Sequence, residues 1–149
     1  MTELMKTLEG WEHFSHGADV GIRGRGRTVE RAFAFAAQAL TAIVTNPANV
    51  KSLQQVEVIC AAENPDRLFY DYLFYDWINS VVFEMDTRKM VFAEFEVKIA
   101  EGKLYGLLRG EPLDGDRHEP AAEPKGATFT ELRVYKSDEH WVAQCVVDV

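Results

Sequence analysis

Apolar and polar side chains alternate along Val91-Phe92-Ala93-Glu94-Phe95-Glu96-Val97-Lys98-Ile99, the two-residue period of a strand with one face buried. Ala100-Glu101-Gly102-Lys103 carries turn residues, so Leu104 to Arg109 is predicted to return as the second arm of a hairpin. Val56-Glu57-Val58-Ile59-Cys60 reads as a further strand, and Ala127 to Tyr135 with Trp141 to Val147 as a second hairpin around Lys136-Ser137-Asp138-Glu139. Near the start, Trp11 to Arg25 predicts two short strands around the Ser15-His16-Gly17-Ala18 bend, closing in Gly24-Arg25-Gly26.

Two segments have helical spacing instead. Thr28 is placed to cap a helix whose apolar positions Phe33, Ala36, Leu40 and Ile43 mark one face, with a stop at Asn46-Pro47; such an amphipathic helix covers a sheet. Asn64-Pro65 supplies an N-cap followed by proline at the first helical position. The helix predicted from Pro65 to Glu84 carries Leu68, Phe69, Tyr72, Leu73, Phe74, Trp77, Ile78, Val81 and Phe83, apolar over more than one face, the pattern of a helix buried between layers. Glu111 to Pro124, rich in proline and acid, reads as a loop. The expected fold class is α+β: a single domain over residues 1–149, with two helices packed on about seven mostly antiparallel strands in a mixed sheet or two-sheet arrangement.

Composition narrows the function classes. A length of 149 residues suits one domain with a substantial core, the common domain size being roughly 100 to 150 residues. The formal net charge of −8 disfavours a broad nucleic-acid footprint, which needs clustered Lys and Arg, and favours a basic protein or a cation as partner. Cys60 and Cys145 both lie in apolar runs, which argues against a disulfide framework or a zinc site and for a reducing, cytoplasmic setting. Met1-Thr2-Glu3-Leu4-Met5-Lys6 lacks the pattern of a secretory signal, and no apolar run approaches the roughly 20 residues that span a bilayer, so no membrane association is expected.

The candidate chemistry sits at the two ends of the chain. If the last strand lies beside the first, Asp19, Asp148 and the main-chain carboxylate of Val149 converge as hard oxygen ligands for a divalent cation. A lone Asp at a strand end is otherwise a solvated turn residue or a backbone cap. Asp148 differs from that pattern by standing at the end of an apolar strand, where termini usually fray.

Gly21-Ile22-Arg23-Gly24-Arg25-Gly26-Arg27-Thr28 comes within one residue of a phosphate loop, with Arg27 in place of its lysine. Two helices followed by consecutive hairpins do not build the parallel sheet that such a loop requires. Arg23, Arg25 and Arg27 alternate onto one face, either a solvated strip or a set of anion contacts. His13 and His16 precede Asp19 at intervals of three, which is not a recognised ligand spacing. No Gly-x-Ser-x-Gly elbow or activated cysteine supports a Ser or Cys hydrolase. Lys125 reads as a solvated lysine or as a cation for nearby carboxylates, a phosphate or a partner's acid.

Taken in order, these segments resemble the archease family, small partners of the GTP-dependent RNA ligase that joins cyclic-phosphate ends in tRNA splicing and RNA repair. The resemblance is carried by His16 to Gly21, the alanine-rich first helix, Leu73 to Phe83 with Asp76-Trp77-Ile78-Asn79, Gly110-Glu111, His118, Lys125-Gly126-Ala127-Thr128-Phe129 and Val147-Asp148-Val149. Gly17 stands where the family usually has threonine, Gly126 where alanine is typical and Phe129 where tyrosine is common; Gly17 loosens the backbone before Asp19.

The resemblance implies that Asp19, Asp148 and Val149 form a divalent-cation site, with calcium the expected occupant. It also implies that Lys125 is the family's functional lysine, acting with His16 on the partner, and that the chain is an activator rather than an enzyme. That role is to promote guanylylation of the ligase and its multiple turnover, with nucleic acid met only through the ligase. Two other readings stand beside it: a stand-alone metal-dependent phosphoesterase using Asp19, Asp148 and His16, and a chaperone-like module with accessible Trp77 and Phe74.

Overall fold

The computed structural model describes residues 9–62 and 68–149. Strands β1 (Gly10–His16) and β2 (Asp19–Gly26) form a hairpin, followed by helix α1 (Val29–Val44), a 3-10 turn at Pro47–Asn49 and strand β3 (Gln54–Ala61). Helix α2 (Phe69–Arg88) leads into the hairpin of β4 (Met90–Ala100) and β5 (Lys103–Pro112). A short helix α3 (Gly115–His118) precedes β6 (Gly126–Ala127), β7 (Arg133–Ser137) and β8 (His140–Asp148). The strands make two antiparallel sheets: β1-β2-β8-β6, with β7 also on β8, and β3-β5-β4.

The α+β class and both long helices are as the sequence predicts, and three boundaries differ. The strand predicted over Ala127 to Tyr135 is broken into β6 and β7, giving eight strands. At the break the chain bulges against β8: the Thr128 N–H and hydroxyl both donate to the Val146 carbonyl, at 3.0 and 2.9 Å, while the Val146 N–H reaches on to the Thr130 carbonyl at 3.0 Å. The second helix begins at Phe69 and runs past Glu84 to Arg88, where Lys89 turns left-handed at φ 54° and closes it; the Asn64-Pro65 cap lies outside the described residues. The loop predicted from Glu111 holds α3, capped by Asp114, whose carboxylate accepts the Asp116 and Arg117 N–H groups.

Helix α1 bridges the sheets. Its Thr28 cap accepts the Arg31 N–H at 3.1 Å, Ala32 and Ala36 press on β2, and Thr41 donates to the Phe92 carbonyl of β4 at 2.5 Å. The close approach to β2 depends on Gly24, where a Cβ would stand 2.1 Å from the Ala32 carbonyl oxygen. Helix α2 buries Leu73, Phe74, Trp77, Ile78 and Val81 completely. Trp77 donates from its indole to the Phe33 carbonyl at 3.0 Å and lies over Gly106 of β5, whose missing side chain leaves room for the ring.

Before reaching β6, the chain is pinned by a buried latch. Glu111 accepts from the Lys51 N–H at 2.8 Å, from Arg117, and from Nε2 of the fully buried His118 side chain at 2.9 Å. Nδ1 of His118 accepts the Asp114 N–H at 2.9 Å, which fixes the proton on Nε2. Thr45 at the end of α1 donates to the His118 carbonyl at 2.6 Å, and beyond the latch Ala121 donates to Val44. Burial raises the Glu111 carboxyl, but the donors from Arg117, Lys51 and His118 outweigh it and hold the group at about 2 against an ordinary 4.5.

Two outcomes are expected. Gly24→Ala, forced against the α1 backbone, destabilises the fold by about 1–3 kcal/mol in urea titration, whereas Gly115→Ala, with open space around it, changes stability little. Because the folded-state value for Glu111 lies below the unfolded one, its stabilisation is present above about pH 4.5 and is lost as the pH falls towards 2. The stability difference between wild type and Glu111→Gln therefore shrinks over that window; a constant difference would show that the ionised latch is not what stabilises the loop.

Candidate functional site

The order β1-β2-β8-β6 brings four separate segments to one end of the first sheet. His16 pairs with Asp19 across the first hairpin, Val20 pairs with Val147 so that Asp19 and Asp148 continue the same ladder, and Asp148 pairs with Gly126. Paired residues point to the same face, so His16, Asp19, Asp148 and Gly126 form one row across four strands. Val20, Ile22, Cys145 and Val147 belong to the core on the opposite face, so the row faces away from the core. Asp148 and His16 are exposed and Asp19 is half-buried.

Gly17 turns the chain at the row's outer end with φ +61°, as a II′ hairpin requires of its first central residue. At the other end of the sequence, the Val149 N–H lies 3.4 Å from Asp19 Oδ1, and the Val149 side chain packs against the core. The tail is thereby tied to a residue 130 positions earlier.

Asp19 and Asp148 are like charges at directly opposed register positions, an arrangement that is unfavourable without a compensating cation. Among the described residues no ion pair neutralises either of them. Nor does any group of three or more His, Cys, Asp or Glu side chains there have an arrangement able to hold a metal ion, so His16 does not complete one. The donors at hand are two side-chain carboxylates and the main-chain oxygens of Val149. Such a hard-oxygen set suits calcium or magnesium better than a transition metal, and leaves much of the coordination shell to water or a partner.

Lys125 reaches this end through its backbone, its N–H donating to the Asp148 carbonyl at 2.8 Å. Alternation along the strand turns its side chain towards α2, where it lines a hollow with Asn79, Val82 and Phe83, on the side of the sheet opposite the carboxylates. Arg23 and Arg25 do share a face, and the anion they meet is Glu12: Arg23 lies at 3.2 Å and Arg25 at 2.8 Å from its carboxylate. Arg23 also donates to Gln144 at 2.9 Å and lies over the Phe14 ring. Burial raises the Glu12 carboxyl, and the bonds from Arg25 and Arg23 bring it below its ordinary value.

A residue given no role in the sequence analysis also belongs here. The side-chain oxygen of Asn79 accepts the Ala127 N–H at 2.9 Å, and eight residues earlier on α2 Asp71 accepts the Val134 N–H at 2.7 Å. One helix thus holds the broken strand on both sides of its break and sets the position of Gly126 and Lys125. The only sequence signal for Asn79 was its place in Asp76-Trp77-Ile78-Asn79. Trp77 and Phe74, which a chaperone-like reading needs accessible, are 0% exposed. Cys60 and Cys145 are free and buried, and burial pushes the Cys145 thiol up to about 12, so neither is an activated nucleophile. No helix among the described residues is long and apolar enough to cross a membrane.

The model of the archease protein family (MTH1598/TM1083) matches residues 11–149. Protein archease of Pyrococcus furiosus is 34% identical over 147 residues, covering 95% of this chain and 100% of the relative. Protein archease of Methanopyrus kandleri is 36% identical over 143 residues, covering 93% and 99%. The solution structure of Methanobacterium thermoautotrophicum protein 1598 superposes with a TM-score of 0.78 at 28% identity, covering 94% of this chain and 99% of that one. The crystal structure of a Thermotoga maritima archease, described as a possible chaperone, shares the fold with a TM-score of 0.61 at 15% identity, covering 93% and 96%. With this match over nearly its whole length, the chain belongs to the archease family.

Proposed function

We propose that this protein activates a GTP-dependent RNA ligase, promoting guanylylation of the ligase and its return to successive turnovers in tRNA splicing or RNA repair. The observation that carries the reading is the row of His16, Asp19 and Asp148 at one sheet end, with Lys125 held beside it by the Asp148 carbonyl. A divalent cation, calcium foremost, is held by Asp19, Asp148 and the Val149 carboxylate. When bound, it supplies positive charge at the tip and open coordination positions for a partner's oxygens.

The chain's own groups divide the work by face. Asp19 and Asp148 make an acidic end that steers towards a basic rim around the ligase's nucleotide pocket. Lys125 offers an ammonium on the α2 side for a phosphate or an acidic side chain. His16, at the open end of the row, contacts the partner, and RNA is met through the ligase alone.

In chelator, Asp148→Asn stabilises the fold by roughly 0.2–1 kcal/mol, because it removes repulsion between opposed carboxylates. Calcium at about a hundred times its dissociation constant stabilises wild type by about 3 kcal/mol and Asp148→Asn much less, measured by thermal unfolding. A wild-type protein indifferent to calcium removes the cation from the reading. In a multiple-turnover ligation assay with the cognate ligase, Asp19→Ala, Lys125→Ala and Asp148→Ala fold normally and fail to stimulate. Stimulation equal to wild type by all three would overturn the activator reading. Phosphate-ester turnover by the chain alone, abolished by Asp19→Ala, would make it an enzyme.

A further inference from the structure

The geometry points to the outer edge of β3 as a docking surface for the partner, where an extended, basic segment adds to the second sheet as a fourth strand. This inference rests on the activator reading and names the surface by which the ligase is held.

The order β3-β5-β4 makes β3 and β4 the two edges of that sheet. The β4 edge is capped by α1: Thr41 donates to the Phe92 carbonyl and Gln38 to the Ala93 carbonyl at 3.2 Å. Among the described residues β3 pairs with β5 alone, and no other main-chain partner meets residues 57–61. An edge left in that state is a template for another strand.

Beside it lies a trough of about 560 Å³ between β3 and α2. Its strand wall is residues 57–61, five in succession. Alternate side chains of a strand leave by opposite faces, so a space that touches all five runs along the strand's edge. The helix wall is Asp76, Asn79, Ser80, Phe83 and Glu84, one stripe of α2. Phe83 is 61% exposed in the trough, and Ile59 is 67% exposed on the open face of the sheet. An added strand sends its side chains alternately to these two sides, while its main chain pairs with β3.

Charge sets the chemistry of the occupant. Three carboxylates line the trough, those of Glu57, Asp76 and Glu84, and among the described residues no Lys or Arg does. Arg88 pairs with Glu84 from outside the lining, which leaves an excess of two carboxylates. Lys103, in register with Ala61 on β5, stands on the far side of the strand. Lys or Arg in the added strand meets this excess. A second copy of the chain does not, since it presents Glu57 on its own β3 and a formal net charge of −8. Asn79 and Phe83 also line the hollow that holds Lys125, so a segment in the trough lies beside the ammonium assigned to the partner.

Amide hydrogen exchange on the full chain, with and without the cognate ligase, reads the edge. The alternate β3 amides not bonded to β5 are expected to exchange about tenfold more slowly, or slower still, at saturating ligase. Glu57→Lys, at an exposed position, is expected to raise the dissociation constant for the ligase about tenfold. Glu139→Lys, the same charge change in the turn between β7 and β8, leaves that constant near wild type. Unslowed β3 amides in the complex overturn the added strand, and wild-type affinity in Glu57→Lys overturns its basic character. An equal loss in Glu139→Lys assigns the effect to overall charge and overturns the proposal too. Slowed amides in the chain alone, with a dimer in sedimentation velocity, assign the edge to a second copy and likewise overturn it. A ligase that slows the amides without being stimulated upholds the added strand and overturns the activator reading; a chain that binds no ligase overturns both.

Discussion

The structure depends on β8 being an interior strand. It is bonded to β2 along one edge and to β6 and β7 along the other, and its core-facing side chains Ala143, Cys145 and Val147 are fully buried. Joining segments so far apart in sequence costs loop-closure entropy that grows slowly with length, and ladder bonds on both edges with a dry inner face offset it. Only with β8 in that place do residue 19, residue 126 and the tail share one end of one sheet.

Around this strand the helices act as positioning elements as much as covers. The α1 helix lies close to β2 because Gly24 has no side chain, and it reaches across to β4 through Thr41. Helix α2, centred on the buried Trp77, sends Asp71 and Asn79 to the interrupted strand. The latch of Glu111, Arg117 and His118 holds the start of the segment that delivers Lys125, and the Asp148 carbonyl holds its end. Helix, strand and latch thus fix the tip from three directions.

Much of this was legible in the residues. The period of two from Ala93 to Ile99 and the helical spacing of Phe33, Ala36, Leu40 and Ile43 are strong signals, because each matches a face that is buried; the alternation expected from Val91 fails at its start, where Val91, Phe92 and Ala93 are buried in succession around a bulge between Phe92 and Glu94. The meeting of Asp19 with Asp148 was legible only as a conditional, since periodicity says which face a strand buries but not which strand is its neighbour. Glu12 reads as a solvated charge until the hairpin register sets it opposite Arg23. Glu111 and His118, seven positions apart around a polar loop, gave no periodic signal, because a buried ion network depends on three-dimensional closure. The break at Thr128 was hidden for a similar reason: threonine is, by composition, as good a strand residue as any other, and the bulge there depends on how the chain meets Val146 of β8.

The pleat of β8 ties hydrophobic packing to placement of the acid. The alternation that turns Val147 inward turns Asp148 outward, so a slip of one residue that carried Asp148 into the Val147 position would bury a carboxylate. Such a slip is opposed by the whole apolar face of the strand. The interior of the protein thereby serves as the ruler that aligns the chemistry at its rim.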